Sequence, residues 1–341
     1  MDVLKGQGIV PGIKVDTGLQ PLPGTDGETA TQGLDGLADR CAAYYKQGAR
    51  FAKWRAVLNA GGGRPSNMAI AENAHGLARY AQIAQHAGLV PIVEPEVTLG
   101  PGDYSIEETA FVSERVYTEV VAALNLYNGA TGGREERRAR GEEGERRRER
   151  REKKQGLERQ SDRAAGERGN LILSPCPPPP LTRLTPPHPT HTAVDTSAIL
   201  LKPNMILPGL DAPTAGPATV AAWTVDVLRR TIPACVPGIH FLSGGMSEEE
   251  STLNLQALQD EAAKVPGGVP WALTFSYGRA LQSTTLKTWA GQAGNVKAAQ
   301  DILVALAQAN SQAQLGKYAG PHPVPGGGRI LQALRLGGAG K

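Results

Sequence analysis

The chain has 341 residues, 40% of them hydrophobic and 5% aromatic, which is enough apolar material for a sizeable core and excludes full disorder. Lys and Arg total 36 against 33 Asp and Glu, but residues 134–168 alone hold 14 bases and 10 acids; the remainder is near neutral, with no charge bias that points to nucleic acid. Cys41, Cys176 and Cys235 are too few and too far apart for a disulfide framework or a paired-cysteine metal site and fit a reducing compartment; no apolar run reaches the roughly 18–20 residues of a membrane span, and the first residues lack the apolar run of a secretory leader.

The first apolar run, 9–15, has the length of a strand. Leu34, Leu37, Ala38, Cys41 and Tyr45 then recur at three- and four-residue spacing, which predicts an amphipathic helix. A second strand is predicted over 51–54, a helix over 67–87, a third strand over 90–93, and a helix carrying Val112, Val116, Val120 and Leu124. His75 and His86 fall on a predicted helix and read as packing or solvent-facing residues.

Residues 128–196 break the rhythm. A Gly/Arg/Glu block from Gly132 to Arg168 gives way to eight prolines between Pro175 and Pro189, a block composition like that of translated non-coding sequence. Neither half can bury enough apolar surface to offset its ordering entropy, so a disordered insertion is expected over 128–196, between a first part of 1–127 and a second of 197–318. His188 and His191 lie in it without metal-ligand spacing, and the bases of 146–151 are interleaved with acids and lack aromatics, which favours plain solvated chain over a nucleic-acid patch. Strands follow at 199–201, 239–242 and 272–275, with helices over 217–231, from Ser247 to about Lys264, and over 294–315; Ser247 and Glu250 have capping-box spacing. The Gly-rich stretch 319–341 is expected to be a flexible tail. Six short strands alternating with helices predict an α/β fold built on a parallel sheet.

Each predicted strand ends in polar residues: Lys14 and Asp16; Lys53 and Arg55; Glu94 and Glu96; Lys202; Ser243-Gly244-Gly245; Ser276 and Arg279. In a parallel βα array these ends share one face, where barrel enzymes hold their active sites. Three lysines and two arginines there would attract a doubly phosphorylated small molecule. A lysine crowded by cations and desolvated has its amine freed to attack a carbonyl and form a Schiff base. Glu94 and Glu96 would give and take protons. The Ser-Gly-Gly turn and the Ser276-Tyr277-Gly278-Arg279 segment offer hydroxyls, backbone N–H groups and a guanidinium to a phosphate. The combined chemistry is imine-based carbon–carbon cleavage of a sugar phosphate.

Seven segments, in order, resemble class I fructose-bisphosphate aldolase: Gly12-Ile13-Lys14-Val15-Asp16, Gln32-Gly33-Leu34-Asp35-Gly36-Leu37, Phe51-Ala52-Lys53-Trp54-Arg55, Pro91-Ile92-Val93-Glu94-Pro95-Glu96, Leu200-Leu201-Lys202-Pro203-Asn204-Met205, Phe241-Leu242-Ser243-Gly244-Gly245 and Phe275-Ser276-Tyr277-Gly278-Arg279-Ala280-Leu281. The stretches around Tyr44-Tyr45-Lys46 and Leu315-Gly316-Lys317-Tyr318 look most like plastid forms of plants and green algae. The resemblance implies a (β/α)8 TIM barrel and a lyase of glycolysis and the Calvin cycle that cleaves fructose 1,6-bisphosphate without metal or cofactor. Lys202 would form the Schiff base, with Glu94, Lys53, Glu96 and Asp16 as its catalytic neighbours. Lys14, Arg55, Ser243, Gly244, Gly245, Ser276, Gly278 and Arg279 would bind substrate. It further implies a homotetramer if the barrel is complete, in the plastid stroma or, as the alternative, the cytoplasm, with no nucleic-acid or membrane partner.

The sequence also departs from the family. It enters the pattern just ahead of the third of eight strands, so an incomplete barrel is expected. The usual lead-in to the Lys202 strand is missing, Met246 stands where glutamine is common, and the usual terminal tyrosine is replaced by Gly340-Lys341. The alternative reading is a non-catalytic phosphate-binding or scaffold protein derived from an aldolase.

Overall fold

A computed structural model describes residues 2–100, 102–127 and 194–325; most of the expected insertion, Cys176, His188, His191 and the tail beyond 325 lie outside the described residues. All six apolar runs become strands of one parallel sheet, in the order β1 (Gly12–Lys14), β4 (Phe51–Ala60), β5 (Val90–Leu99), β6 (Leu200–Leu201), β7 (Gly238–Phe241) and β8 (Ala272–Phe275). Strand order follows chain order, as right-handed βα crossovers produce in a barrel wall. Among the described residues β1 and β8 remain edges, so the sheet is an incomplete (β/α)8 barrel.

Strands β4 and β5 are longer than the apolar runs that announce them. Lys53, Arg55, Glu94 and Glu96 lie inside strands rather than at their ends, because the two strands pair in continuous register from Phe51↔Val90 to Ala60↔Leu99. Along β4 burial alternates strictly: Ala52, Trp54, Ala56, Leu58 and Ala60 are buried, while Phe51, Lys53, Arg55, Val57 and Asn59 are half-exposed on the other face. Proline is rare inside a central strand because it has no N–H for the ladder. Pro95 is tolerated because β6 pairs with β5 only at Ile92 and Val93. The Val93 carbonyl accepts from Lys202 N at 2.8 Å and Val97 N donates to the Asn204 side chain at 2.7 Å, so alternation turns position 95 toward the side where the ladder has already ended.

Between β1 and β4 lies an antiparallel hairpin, β2 (Gly18–Pro21) with β3 (Thr29–Gln32), which no apolar alternation announced. It is held against the part of β4 that extends past the short β1, where the Thr31 hydroxyl donates to the Arg55 carbonyl at 2.7 Å, and against the helix over Asn67–His86, where Asn73 Nδ2 donates to the Thr29 carbonyl at 2.8 Å. Buried Glu28 accepts from Ser66 N at 2.8 Å, which ties the hairpin to the N-cap of α3.

The helices are α1 (Asp2–Gly6), α2 (Leu37–Gln47), α3 (Asn67–His86), α4 (Ile106–Leu126), α5 (Pro217–Thr231), α6 (Glu248–Lys264), α7 (Arg279–Trp289) and α8 (Val296–Ala313). Ser247 caps α6 with the expected reciprocal bonds to Glu250, and Ser105 with Glu108 does the same for α4. Helix α3 packs on β4 and β5, with Trp54 stacked on Tyr80 at 5.5 Å and the Tyr80 hydroxyl donating to the Ala52 carbonyl at 2.7 Å. His75 meets Tyr127 edge-on at 6.0 Å, a packing contact. Within the stretch expected as a tail, His322 is buried and meets the Thr252 hydroxyl at 3.2 Å, which lays residues 319–325 on α6.

Leu77, with no exposed surface, sits on the α3 face turned to the core. Leu77→Ala is expected to lose about 2–5 kcal/mol, read as a lower urea midpoint with an unchanged slope.

Candidate active site

Three neighbouring strands bring the predicted lysines and carboxylates together. Because β4 and β5 are in register with Arg55 opposite Glu94, and β5 and β6 with Val93 opposite Leu201, Glu94 stands between the Lys53 and Lys202 side chains. Its Oε2 lies 2.6 Å from Lys53 Nζ and its Oε1 2.9 Å from Lys202 Nζ. Glu94 is 2% exposed and Lys202 9%, so the bridge is screened from water and each contact is a charge-assisted hydrogen bond. Alongside it Arg55 Nε pairs with the buried Glu96 carboxylate, and Lys14 pairs with Asp16. Asp16 also accepts from Gly18 N at 3.2 Å and Arg55 N at 3.3 Å, so much of its capacity goes to backbone donors.

The charge arrangement differs from a ring of cations around Lys202. The nearest charge to its amine is a carboxylate, and the cluster sets Lys14, Lys53, Arg55 and Lys202 against Asp16, Glu94 and Glu96. The excess is a single positive charge. Burial works against the Arg55 guanidinium, but the hydrogen bond and charge of Glu96, with Glu94 and Asp16 behind them, outweigh it and hold the group above its ordinary range.

The expected phosphate segments stand at the carboxyl ends of the next two strands. Beyond β7, Met246 N donates to the Ser243 carbonyl at 2.8 Å and closes a turn in which Gly244 has φ +49° and Gly245 φ +90°, left-handed values that favour glycine. A Cβ on Gly244 would also press to 3.3 Å on Asn204 Nδ2. Beyond β8, Ser276 N donates to the Phe241 carbonyl at 2.9 Å, and Gly278 opens α7 at its N-cap with no side-chain bond to its first amides, so Arg279 is the first residue of a helix. Among the described interactions, none joins Ser243, Ser276 or Arg279 to the lysine–carboxylate cluster; what they share with it is the end of the sheet.

Two site residues escaped the sequence reading. Asn204, buried two residues past Lys202, fastens the β6 exit to β5 through Val97 N and lies against Gly244. His240, on β7, has its pKa lowered by burial first and by the Lys202 charge second. Period-two alternation was the available signal for His240; Asn204 had none, because its partners are fixed only by sheet register. Among the described residues no group of three or more His, Cys, Asp or Glu is placed to hold a metal ion, and no helix is long and apolar enough to cross a membrane.

The family model for glycolytic class-I fructose-bisphosphate aldolase matches residues 1–139 and 190–328, more than half of the chain. The chain belongs to the class-I fructose-bisphosphate aldolase family. Its relatives include fructose-bisphosphate aldolase, cytoplasmic isozyme 2, of Pisum sativum, 44% identical over 94% of this chain and 70% of the relative. Chloroplastic fructose-bisphosphate aldolase 1 of Arabidopsis thaliana is 46% identical over 94% of this chain and 62% of that protein. Among solved structures, the fructose-bisphosphate aldolase of Plasmodium falciparum, in a ternary complex with TRAP and a small-molecule inhibitor, superposes with TM-score 0.70 at 40% identity, covering 94% of this chain and 73% of that one. This aldolase-family chain thus spans roughly two thirds of the length of such relatives, which are mostly cytosolic isozymes with a chloroplastic form among them.

The depressed His240 pKa makes stability depend on pH. The unfolded chain takes up a proton near pH 6.5 before the folded chain does, so the contribution is present above that pH and is lost as pH falls through the folded value. Between pH 7.5 and 5.5, the melting temperature of His240→Asn is expected to fall less than that of the parent chain, as scanning calorimetry of the two would register.

Proposed function

We propose that this chain cleaves fructose 1,6-bisphosphate reversibly to dihydroxyacetone phosphate and glyceraldehyde 3-phosphate through a Schiff base on Lys202. The observation that carries the reading is the buried Glu94 carboxylate within 2.9 Å of Lys202 Nζ and 2.6 Å of Lys53 Nζ. A lysine attacks a ketone only as the free amine, and Glu94 is within reach of the proton that must leave. The amine adds to the C2 carbonyl carbon. Returned to the carbinolamine oxygen, the proton departs with it as water and leaves a protonated imine. The imine draws in the electron pair of the C3–C4 bond as the C4 hydroxyl gives up its proton; the aldehyde leaves, and the remaining enamine takes a proton at C3 before water releases the ketone. The protonated imine serves as electron sink within the enzyme itself.

Lys53 and Glu96 act beside Glu94, Lys53 by holding its second oxygen and Glu96 by fixing Arg55. Asp16, bound to backbone amides and to Lys14, stands beside Arg55 as a further carboxylate of the cluster. Lys14 and Arg55 meet one end of the substrate. Ser243, Gly244, Gly245, Ser276, Gly278 and Arg279 supply hydroxyls, amides and a guanidinium to a phosphate. The excess positive charge of the cluster, with Arg279, draws a bisphosphate into the site.

The omission of residues 140–189 from the family match supports reading the middle of the chain as an insertion. A plastid form is supported by 46% identity to a chloroplastic relative against 44% to the pea cytoplasmic isozyme. The family resemblance supports a homotetramer for a chain whose barrel is complete.

Borohydride reduction with dihydroxyacetone phosphate tests the mechanism: peptide mass spectrometry is expected to find the adduct on Lys202, and none in Lys202→Met. An adduct on Lys14 or Lys53 in its place would overturn the assignment. Glu94→Gln is expected to lower kcat by about 10²–10⁴ with the adduct formed more slowly, as removal of a general acid–base does.

A further inference from the structure

The two phosphate segments belong to different strands and feed different helices, so something must hold them at a fixed separation. The β7–β8 ladder ends at Phe241↔Phe275, and its last bond is Ser276 N to the Phe241 carbonyl. Past that point two links span the gap. One is the buried Tyr277 hydroxyl, which donates to the Ser251 carbonyl on α6 at 2.9 Å. The other is Glu248, the first residue of α6 and only 5% exposed: its Oε1 accepts from Thr284 N at 2.9 Å and its Oε2 from the Thr284 hydroxyl at 2.5 Å, both on α7.

A carboxylate is a costly way to join two helices if adhesion is all that is needed, since burying the charge without a cation is penalised and apolar contact would serve. Among the described interactions Glu248 has no cation partner; its charge is met by the two Thr284 donors and by the N-terminal end of α6 on which it stands. Paired bonds to the amide and the hydroxyl of one residue fix what apolar contact leaves loose, which is the rotation of α7 about its own axis. Arg279 lies five residues before Thr284, so it projects roughly 140° around the helix from the bonded side and about 7.5 Å along it. Any turn of α7 about its axis swings Arg279 directly. Since α6 is entered from the Ser243-Gly244-Gly245 turn through the Ser247 cap, Glu248 ties that turn to Arg279.

We infer that Glu248 is a positioning residue that sets Arg279 against the Ser243-Gly244-Gly245 turn so that both hold one phosphate of the substrate. This rests on the phosphate role proposed for those segments. The test compares Glu248→Ala, Glu248→Gln, Thr284→Val and Arg279→Ala in the full chain, with inorganic phosphate as competitive inhibitor and with borohydride trapping of unphosphorylated dihydroxyacetone on Lys202. In Glu248→Ala, KM for fructose 1,6-bisphosphate and the inhibition constant of phosphate are expected to rise together by about five- to tenfold, the scale of one ordinary hydrogen bond weakened at the phosphate. Trapping of the phosphate-free ketone stays at the parent rate. Glu248→Gln, which keeps an acceptor for Thr284 N, restores most of the phosphate inhibition, and Thr284→Val shifts it in the same direction by less.

Loss of trapping in step with KM would make Glu248 merely structural and overturn the inference, as would an unchanged phosphate constant. If Glu248→Ala does not fold, Thr284→Val decides by the same two readouts. Arg279→Ala separates the levels. Unchanged phosphate inhibition in that variant refutes the phosphate assignment itself, whereas weakened inhibition there with parent-level inhibition in Glu248→Ala and Thr284→Val refutes only the role of Glu248.

Discussion

The structure turns on one buried carboxylate shared between two amines. Glu94 reaches Lys53 on one neighbouring strand and Lys202 just past the end of the other, and all three are largely withdrawn from solvent. A lone carboxylate at that depth would be heavily penalised; between two lysines it is compensated, and removal of Glu94 leaves two neighbouring lysines without their shared counter-charge. Nothing local enforces the arrangement. It depends on the β4–β5 register across its whole length and on the short β5–β6 ladder that delivers Lys202 opposite the place where Pro95 interrupts pairing. Asn204 replaces the ladder once it has ended, by taking Val97 N in its side-chain carbonyl.

Much of this was legible in the sequence, for reasons that differ between residues. The six strands were readable because parallel strands covered by helices are continuous apolar runs, and α6 because its capping box is a local signal. The lengths of β4 and β5 were not readable: Arg55, Asn59, Glu94 and Glu96 are polar, and a polar residue on the inner face of a barrel strand looks like a strand end until its neighbours are known. The hairpin escaped because its strands are half-exposed and it is held by threonine hydroxyls and Asn73 rather than by apolar burial. Helix α7 escaped because Gly278-Arg279 reads as a loop, and its buried contact is little more than Ala280.

The site residues themselves were in view, but their pairing was not. Residue type and position at strand ends pointed to lysines and carboxylates on one face; which carboxylate meets which cation across strands is a property of register, joining residues 41 positions apart for Lys53–Glu94 and Arg55–Glu96 and about a hundred apart for Glu94–Lys202. Composition suggested a crowd of cations around Lys202, whereas the fold interleaves each cation with an acid. That difference sets a buried carboxylate, not a second cation, within hydrogen-bond reach of the Lys202 amine.

The strict alternation along β4 has a further consequence. Its buried positions are alanines, a leucine and Trp54, all engaged by α3 and its neighbours, while its half-exposed positions run from Lys53 through Arg55 and Val57 to Asn59. One ribbon of backbone therefore presents a charged, half-exposed face and a packing face on opposite sides. Substitution at Lys53 or Arg55 alters the charged face while the interior keeps its fit, and substitution at Ala56 or Leu58 is confined to the interior. Divergence of preference and retention of foldedness are thereby assigned to alternate codons of the same strand.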